Sequence, residues 1–282
     1  MMVEALVYFF VPALVGVLIG IASGLLGIGG GTVMVPIFRL AFGMSATMST
    51  ATSLFAIIPT SISGAISHVK GKTCIPALGI AAGLGGACLS PVGVWLAQLS
   101  PDWLVMLAAA LIIGYSAINM FKKAFKIPRA GQPAEGADAA AAAGAAASAP
   151  TADDSSLSRK QLLQGAAIGL VAGLASGYVG VGGGFIMVPL MLSIIGIPMR
   201  KASGTSLIAV MILAIPGVIE QGIIGNINYL AGIAIVIGTI PGAVIGAGLV
   251  TKVPERTLRL LFGCFLIVAA VMLVLNEVGI FG

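Results

Sequence analysis

The sequence predicts an all-α polytopic membrane protein with two inverted-topology repeats. Each repeat is expected to hold a glycine-rich broken or re-entrant helical hairpin plus three spanning helices. Three observations predict this fold: an apolar composition, an internal repeat and the placement of the basic residues. Hydrophobic residues make up 59% of the 282 residues and charged residues only 8%, against about 25% charged in soluble domains. We therefore expect a multi-pass membrane protein, with the lipid bilayer as its surroundings.

The internal repeat is centred on two glycine-rich segments. Residues 22–36 read ASGLLGIGGGTVMVP and residues 175–189 read ASGYVGVGGGFIMVP, so that ten of the 15 positions are identical at an offset of 153. The same offset then aligns Thr52 with Thr205 and Gly64 with Gly217. Two homologous halves in a very apolar chain are typical of transporters built from internal repeats.

The composition changes sharply between the halves. Ala, Gly, Pro, Ser and Asp dominate residues 126–160, and such a segment buries too little apolar surface to form a membrane helix. We therefore divide the chain into an N-terminal membrane repeat (1–125), a flexible Ala-rich cytoplasmic linker (126–160) and a C-terminal membrane repeat (161–282).

Apolar runs predict the individual helices. A spanning helix needs about 20 predominantly apolar residues, and such runs lie at 5–27, 46–67, 74–98, 103–121, 162–180, 203–222, 229–250 and 257–276. Two shorter runs follow the glycines, at 30–43 and 183–197. A helix of 14 residues is about 21 Å long, less than the hydrocarbon thickness of about 30 Å. Each glycine run is therefore expected at the bend of a hairpin, within the membrane, with Pro36 and Pro189 breaking or reorienting the short helices.

The basic residues predict the orientation. If each glycine-centred pair is a full or re-entrant hairpin, 13 of the 14 Lys and Arg residues are cytoplasmic and only Arg39 is outside. If each pair is one broken crossing, eight are inside and six outside. The positive-inside rule favours the first arrangement. Each half then crosses the membrane an odd number of times, so the halves are inverted relative to each other, and both chain ends are extracytoplasmic.

The glycine runs are the strongest candidates for a binding site. Backbone N–H groups at a helix start lack intrahelical acceptors, and the helix dipole favours an anion there. Glycine also allows a sharp bend and the close approach of a ligand. The alternative is close helix packing through small residues. The anion-site hypothesis assigns substrate binding to Gly29, Gly30, Gly31, Gly182, Gly183 and Gly184.

Hydroxyl groups follow each run, three of them at matching positions. They are Ser49, Thr50, Thr52 and Ser53 in the first half, and Ser203, Thr205 and Ser206 in the second. Their O–H groups are suited to complete the coordination of an anion. Helix capping and hydrogen bonds to the preceding turn explain the same residues equally well, and the sequence leaves both interpretations open.

Few ionisable groups lie in the predicted helices. His68 and Glu220 occupy neighbouring places in the two repeats, and we favour a solvated position at a membrane face for both. Proton coupling by either residue is the alternative. One histidine and no paired carboxylates predict neither a metal site nor an enzyme. We expect no cofactor and no nucleic-acid partner, because no basic stripe with aromatic residues exists and Thr32 interrupts a GxGxxG pattern.

The segments GLLGIGGGTVMVP and GYVGVGGGFIMVP, followed by the triplets ATS (51–53) and GTS (204–206), resemble those of the sulfite exporter TauE/SafE family. The resemblance covers both halves but not the linker. It implies an inner-membrane permease, often for sulfur-containing oxyanions such as sulfite or organosulfonates. Carried over by motif, it implies substrate residues at glycines 29–31 and 182–184 and at Thr52, Ser53, Thr205 and Ser206.

The leading hypothesis is therefore a secondary transporter for a small anion, exporting a sulfur oxyanion or organosulfonate with an ion gradient. A passive anion channel on the same scaffold is the alternative, and a membrane enzyme or assembly factor is a third. Self-association into a homo-oligomer is left open.

Overall fold

The computed structural model describes the backbone of residues 2–125 and 158–277. Of the predicted linker (126–160), only residues 158–160 are described. A helix begins within these three residues, at Arg159. All the regular structure in the described ranges is helical. The helices of the first repeat are α1 (Met2–Leu26), α2 (Gly31–Phe42), α3 (Ala46–Lys70), α4 (Pro76–Leu99) and α5 (Asp102–Phe125). Those of the second are α6 (Arg159–Val179), α7 (Gly184–Leu190), α8 (Met199–Ile224), α9 (Tyr229–Leu249) and α10 (Glu255–Glu277).

Seven of the described helices are long and apolar enough to cross a membrane: α3, α4, α5, α6, α8, α9 and α10. The all-α polytopic membrane fold is thereby confirmed. The two short segments that follow the glycines are also helical and remain shorter, at Gly31–Phe42 and Gly184–Ile195.

Both prolines of the short helices lie inside regular helix. α2 continues through Pro36 to Phe42, so the break expected there is absent. α7 ends one residue after Pro189, at Leu190, and passes directly into a single π-helical turn, Met191–Ile195. A membrane helix tolerates one missing backbone bond when neighbouring helices and side chains compensate for it.

Helices of one repeat pack mainly against helices of the other. α1 lies on α9 and α6 lies on α4; α3 packs on both α8 and α9, and α5 packs on α10. Glycines allow the closest of these approaches: a Cβ on Gly24 would lie 2.1 Å from the carbonyl oxygen of Ala243, and one on Gly173 would lie 2.1 Å from that of Gly86. Small residues thus join the two halves by close helix packing.

The contacts also give the relative directions of the outer helix pairs. Gly16 lies on Ile235 and Gly24 on Ala243, so α1 and α9 run parallel. Gly169 lies on Ala82 and Gly177 on Ser90, so α6 and α4 also run parallel.

The central pairs complete this set of directions. Gly64 lies on Leu207 and Gly217 near Leu54, so α3 and α8 run antiparallel. Thr60 is hydrogen-bonded to Thr239, and Ser67 donates to the carbonyl of Val244. α3 therefore runs parallel to α9.

Candidate anion site at the paired glycine loops

The structure brings the two predicted glycine runs into direct contact. We call residues 27–31 and 180–184 the first and second glycine loops. A Cβ on Gly31 would lie 2.5 Å from the carbonyl oxygen of Val181, and one on Gly184 would lie 2.5 Å from that of Gly27. The loops are 153 residues apart in the sequence, yet they meet at the junction of the repeats.

Glycine is required in these loops for two separate reasons. Gly29 and Gly30 have φ angles of +83° and +86°, and Gly182 and Gly183 have +88° and +69°. Residues with a Cβ rarely adopt such a backbone. Gly31, in contrast, begins α2 with a helical backbone and is required for space. Close packing and backbone conformation therefore both contribute to this motif.

The loops hold a row of amide groups without acceptors. No described residue accepts a hydrogen bond from the N–H groups of Ile28, Gly29, Gly30, Gly31 or Thr32. No described residue accepts a hydrogen bond from the N–H groups of residues 181–183 in the second loop or of Phe185, which follows it, whereas Gly184 donates to the carbonyl of Gly182 over 2.8 Å. Buried amides need a partner, and this arrangement at two helix starts favours an anion.

Buried hydroxyl groups surround the first loop. The Oγ atoms of Ser23 and Ser61 and the Oγ1 atom of Thr32 are buried and have no hydrogen-bond partner among the described residues. Ser61 Oγ lies 3.5 Å from the position of a Cβ on Gly29, and the Cβ of Ser23 lies 3.6 Å from that on Gly30. These hydroxyls can donate to the same ligand as the loop amides.

The sequence analysis did not identify these three hydroxyl residues. Ser23 carried a signal, because the ASG motif at 22–24 recurs at 175–177. Thr32 and Ser61 carried none, since their counterparts at the repeat offset are Phe185 and Ala214. Ser176, the counterpart of Ser23, also has a buried hydroxyl without a partner among the described residues, so only Thr32 and Ser61 are specific to the first loop.

The two predicted threonines have other hydrogen bonds. Thr52 Oγ1 accepts from the N–H of Asn228 over 3.0 Å, and Thr205 Oγ1 accepts from the N–H of Ile75 over 2.9 Å. Asn228 and Ile75 are the residues that precede α9 and α4. Both hydroxyls therefore fix the start of a helix.

One of the predicted serines, Ser206, contacts the first loop. Ser206 Oγ donates to the carbonyl oxygen of Gly27 over 2.6 Å. Ser53, its counterpart in the first repeat, is buried and has no described partner for its hydroxyl, as is also the case for Ser49. Thr50 and Ser203 instead donate to carbonyls of the preceding turn, which is the capping and back-bonding alternative.

Two apolar side chains cover the loops. Val210 Cγ1 lies 3.0 Å from the position of a Cβ on Gly29, and Ile57 Cδ1 lies 2.9 Å from that on Gly182. Ile57 and Val210 are also 153 residues apart, on α3 and α8. In this conformation the site is closed, and a ligand that reaches both loops must displace these side chains.

The expected solvated position of His68 is wrong. Its side chain is 0% exposed, its Nε2–H donates to the carbonyl of Gly24 over 2.7 Å and its Nδ1 lies 2.7 Å from Thr73 Oγ1. Gly204 provides the space, since a Cβ there would lie 2.8 Å from the His68 ring. Glu220 is half-buried, and its Oε2 has no hydrogen-bond partner among the described residues.

Known proteins similar to this chain are membrane transporters by name. The family described as sulfite exporter TauE/SafE matches residues 12–273. The probable membrane transporter protein YunE of Bacillus subtilis (strain 168) is 26% identical over 282 residues, which cover 97% of this chain and 99% of the relative. A probable membrane transporter protein of Haemophilus influenzae (strain ATCC 51907 / DSM 11121 / KW20 / Rd) is 28% identical, covering 93% of this chain and 97% of the relative.

A plant relative shares a shorter stretch. The sulfite exporter TauE/SafE family protein 3 of Arabidopsis thaliana is 34% identical over 86 residues, which are 29% of this chain and 18% of the relative. No solved structure matches the chain.

Proposed function

Because this chain belongs to the sulfite exporter TauE/SafE family, we propose that it is a secondary transporter of a small anion. The substrate class is a sulfur oxyanion or organosulfonate such as sulfite. We propose export across the cell inner membrane, coupled to an ion gradient.

The contact between the two glycine loops carries this proposal. It gathers the unpaired amides of Ile28 to Thr32 and the unpaired hydroxyls of Ser23, Thr32 and Ser61 in one buried place. All of these groups can donate hydrogen bonds, and two helix starts add partial positive charge. An anion with several oxygens is the ligand that such a set of donors fits.

The site binds without a fixed charge, which suits transport. No Lys or Arg lies in either loop, and Arg39 is the nearest basic residue that follows the first loop in the sequence. Neutral donors hold an anion by charge-assisted hydrogen bonds, each contributing about 1.5–3 kcal/mol. An ion pair buried in the membrane would oppose release of the substrate on the far side.

We further propose that the repeats have inverted topology. The helix directions support this: α1, α3 and α9 run one way, while α8 runs antiparallel to α3. α3 and α8 are counterparts in the two repeats, so their opposite directions agree with an axis in the membrane plane. Alternating access then follows from a rocking of one repeat against the other around the site, with Ile57 and Val210 as the covering side chains.

His68 and Glu220 are the proposed proton-coupling groups. His68 is bonded to Gly24, which lies three residues before the first glycine loop. A change of its protonation state would act directly on the end of α1.

Flux measurements in proteoliposomes test the proposal. Purified protein is reconstituted in vesicles with an imposed pH gradient, and sulfite, sulfoacetate, taurine and sulfate are offered in parallel. A secondary transporter accumulates its substrate against the concentration gradient, and accumulation stops when a protonophore is added. Flux that only equalises the concentrations would support the alternative, a passive anion channel. No flux of any of these anions would contradict the proposed substrate class.

A further inference from the structure

A cavity lies among α4, α5, α6 and α7, and its lining includes Tyr178 and Ile186, which flank the second glycine loop. Its volume is about 740 Å³, and its walls are mainly apolar. Rim residues from two different helices, Tyr115 and Val171, are 69% and 55% exposed. In a chain that spans a membrane, such apolar rims face the hydrocarbon of the lipids, so the cavity opens sideways into the bilayer.

One end of the cavity is cationic. Lys123, in the last turn of α5, lines it together with Ser193 and Pro189. Its ammonium donates to the carbonyl oxygen of Pro189 over 3.0 Å and to the hydroxyl of Ser193. An ammonium group has three N–H donors, so one remains after these two bonds.

The charge of Lys123 is not neutralised by the described residues. No described carboxylate forms an ion pair with Lys123. The nearby cation Arg259 is already paired with Glu255 at 2.5 Å. A positive charge without a counter-ion at the end of an apolar cavity is complementary to a ligand with an anionic head and an apolar body.

Along α5, the cavity is about as long as one lipid leaflet is thick. Ile112 and Lys123 both line it and are 11 residues apart on α5, which corresponds to about 16 Å of helix rise. Half of a hydrocarbon core of about 30 Å is about 15 Å. The basic end of α5 is the end that leads into the linker, which the charge distribution places in the cytoplasm.

We propose that this cavity binds an anionic phospholipid of the cytoplasmic leaflet, with its phosphate at Lys123 and an acyl chain along α5 and α6. Basic pockets between membrane helices on the cytoplasmic side commonly bind such headgroups. The bound lipid joins α5 of the first repeat to the π turn that follows α7 of the second. This binding does not require the transported anion.

Lipid binding to the delipidated, purified full chain tests this inference. Native mass spectrometry compares phosphatidylglycerol with phosphatidylcholine of identical acyl chains, and glycerol 3-phosphate serves as a headgroup without chains. We expect phosphatidylglycerol to bind more tightly than phosphatidylcholine by about fivefold, the effect of one basic side chain near an anionic lipid. Equal binding of the two lipids, or binding of glycerol 3-phosphate as tight as that of phosphatidylglycerol, would overturn the proposal.

Two pairs of variants locate the lipid. Lys123→Gln should remove the preference for phosphatidylglycerol, whereas Lys122→Gln, an equal loss of charge on the neighbouring residue, should keep it. Val171→Phe should reduce the binding of both lipids by filling the cavity, whereas Val268→Phe, at an equally exposed valine on α10, should not.

Each pair also has an outcome that would contradict the site. Equal effects of the two lysine variants, or of the two valine variants, would place the lipid elsewhere. Val171→Phe leaves Lys123 intact, so the test does not depend on the folding of the lysine variant. Transport of the anion is not measured in this experiment, so its result is separate from that of the flux assay.

Discussion

Ser206 and Gly27 are joined across the repeats by a hydrogen bond of 2.6 Å, in which the serine hydroxyl donates to the glycine carbonyl. The first glycine loop is thus held by α8 of the second repeat. At the repeat offset, the counterpart of Ser206 is Ser53, and its hydroxyl has no partner among the described residues. The two loops are therefore similar in backbone but differ in how they are held.

The Ser206–Gly27 bond predicts a difference between two alanine variants. Ser206→Ala leaves a buried carbonyl without its donor, which costs about 1–3 kcal/mol of stability. Ser53→Ala removes a hydroxyl without a described partner and should change stability little. The midpoint of thermal unfolding in detergent measures both. An equal loss in the two variants would show that the Ser206 bond contributes no specific stability.

The hydroxyl of Ser61 is predicted to bind the substrate. Ser61→Ala should raise the apparent KM for the transported anion, since a lost hydrogen bond to a charged ligand costs about 1.5–3 kcal/mol, or roughly tenfold or more. Ser90→Ala is the matched control, because Ser90 also has a buried hydroxyl without a described partner but lies on α4. An unchanged KM in the Ser61 variant would show that this residue does not bind the substrate.

The hydroxyl of Thr205 is predicted to act on stability and not on substrate affinity. It accepts from the N–H of Ile75, which precedes α4. Thr205→Val should therefore lower the unfolding midpoint through a loss of about 1–3 kcal/mol for the unsatisfied amide, with an unchanged KM. The KM for the transported anion and the unfolding midpoint are measured on the same preparation. A variant with unchanged stability and a raised KM would show that Thr205 belongs to the substrate site.

The role of Gly30 can be separated from its backbone strain. Gly30 and Gly43 both have positive φ, at +86° and +62°, but a Cβ on Gly43 meets nothing within 4 Å. Alanine at either position incurs a similar backbone cost of about 1–2 kcal/mol. Only Gly30→Ala adds a methyl group beside the loop amides, so it alone should abolish flux. Loss of flux in both variants would mean that strain at α2, not access to the amides, is responsible.

The proposed topology is tested by cysteine accessibility in intact cells. In a background without the native cysteines, single cysteines at Lys72, Ser158 and Lys252 should react with a membrane-impermeant maleimide only after the cells are opened. A cysteine at Ser45 should react without opening, because the turn before α3 is on the opposite side. Labelling of Ser158 from outside would contradict the inverted arrangement.

Much of the fold follows from local sequence. The apolar runs predicted α3, α4 and α8–α10 to within a few residues, because helices in a bilayer must satisfy their backbone internally and be long enough to cross it. The glycine runs predicted two loops before two short helices, since glycine adopts the left-handed backbone found at Gly30 and Gly183 at little cost, whereas residues with a Cβ rarely do. These properties depend on residues adjacent in the chain, so the sequence alone determines them.

Only the tertiary structure decided which polar groups meet. Thr52 and Ser53 are neighbours in the sequence, yet one hydroxyl fixes the start of α9 and the other has no described partner. His68 is buried because Gly204, from the other repeat, leaves space for its ring. Asn228 and Gly204 lie more than a hundred residues from Thr52 and His68 in the chain, and the burial and hydrogen bonding of these two side chains depend on them. Local periodicity carries no information about them, so the sequence determines where helices begin and end, and packing between the repeats determines what each side chain does.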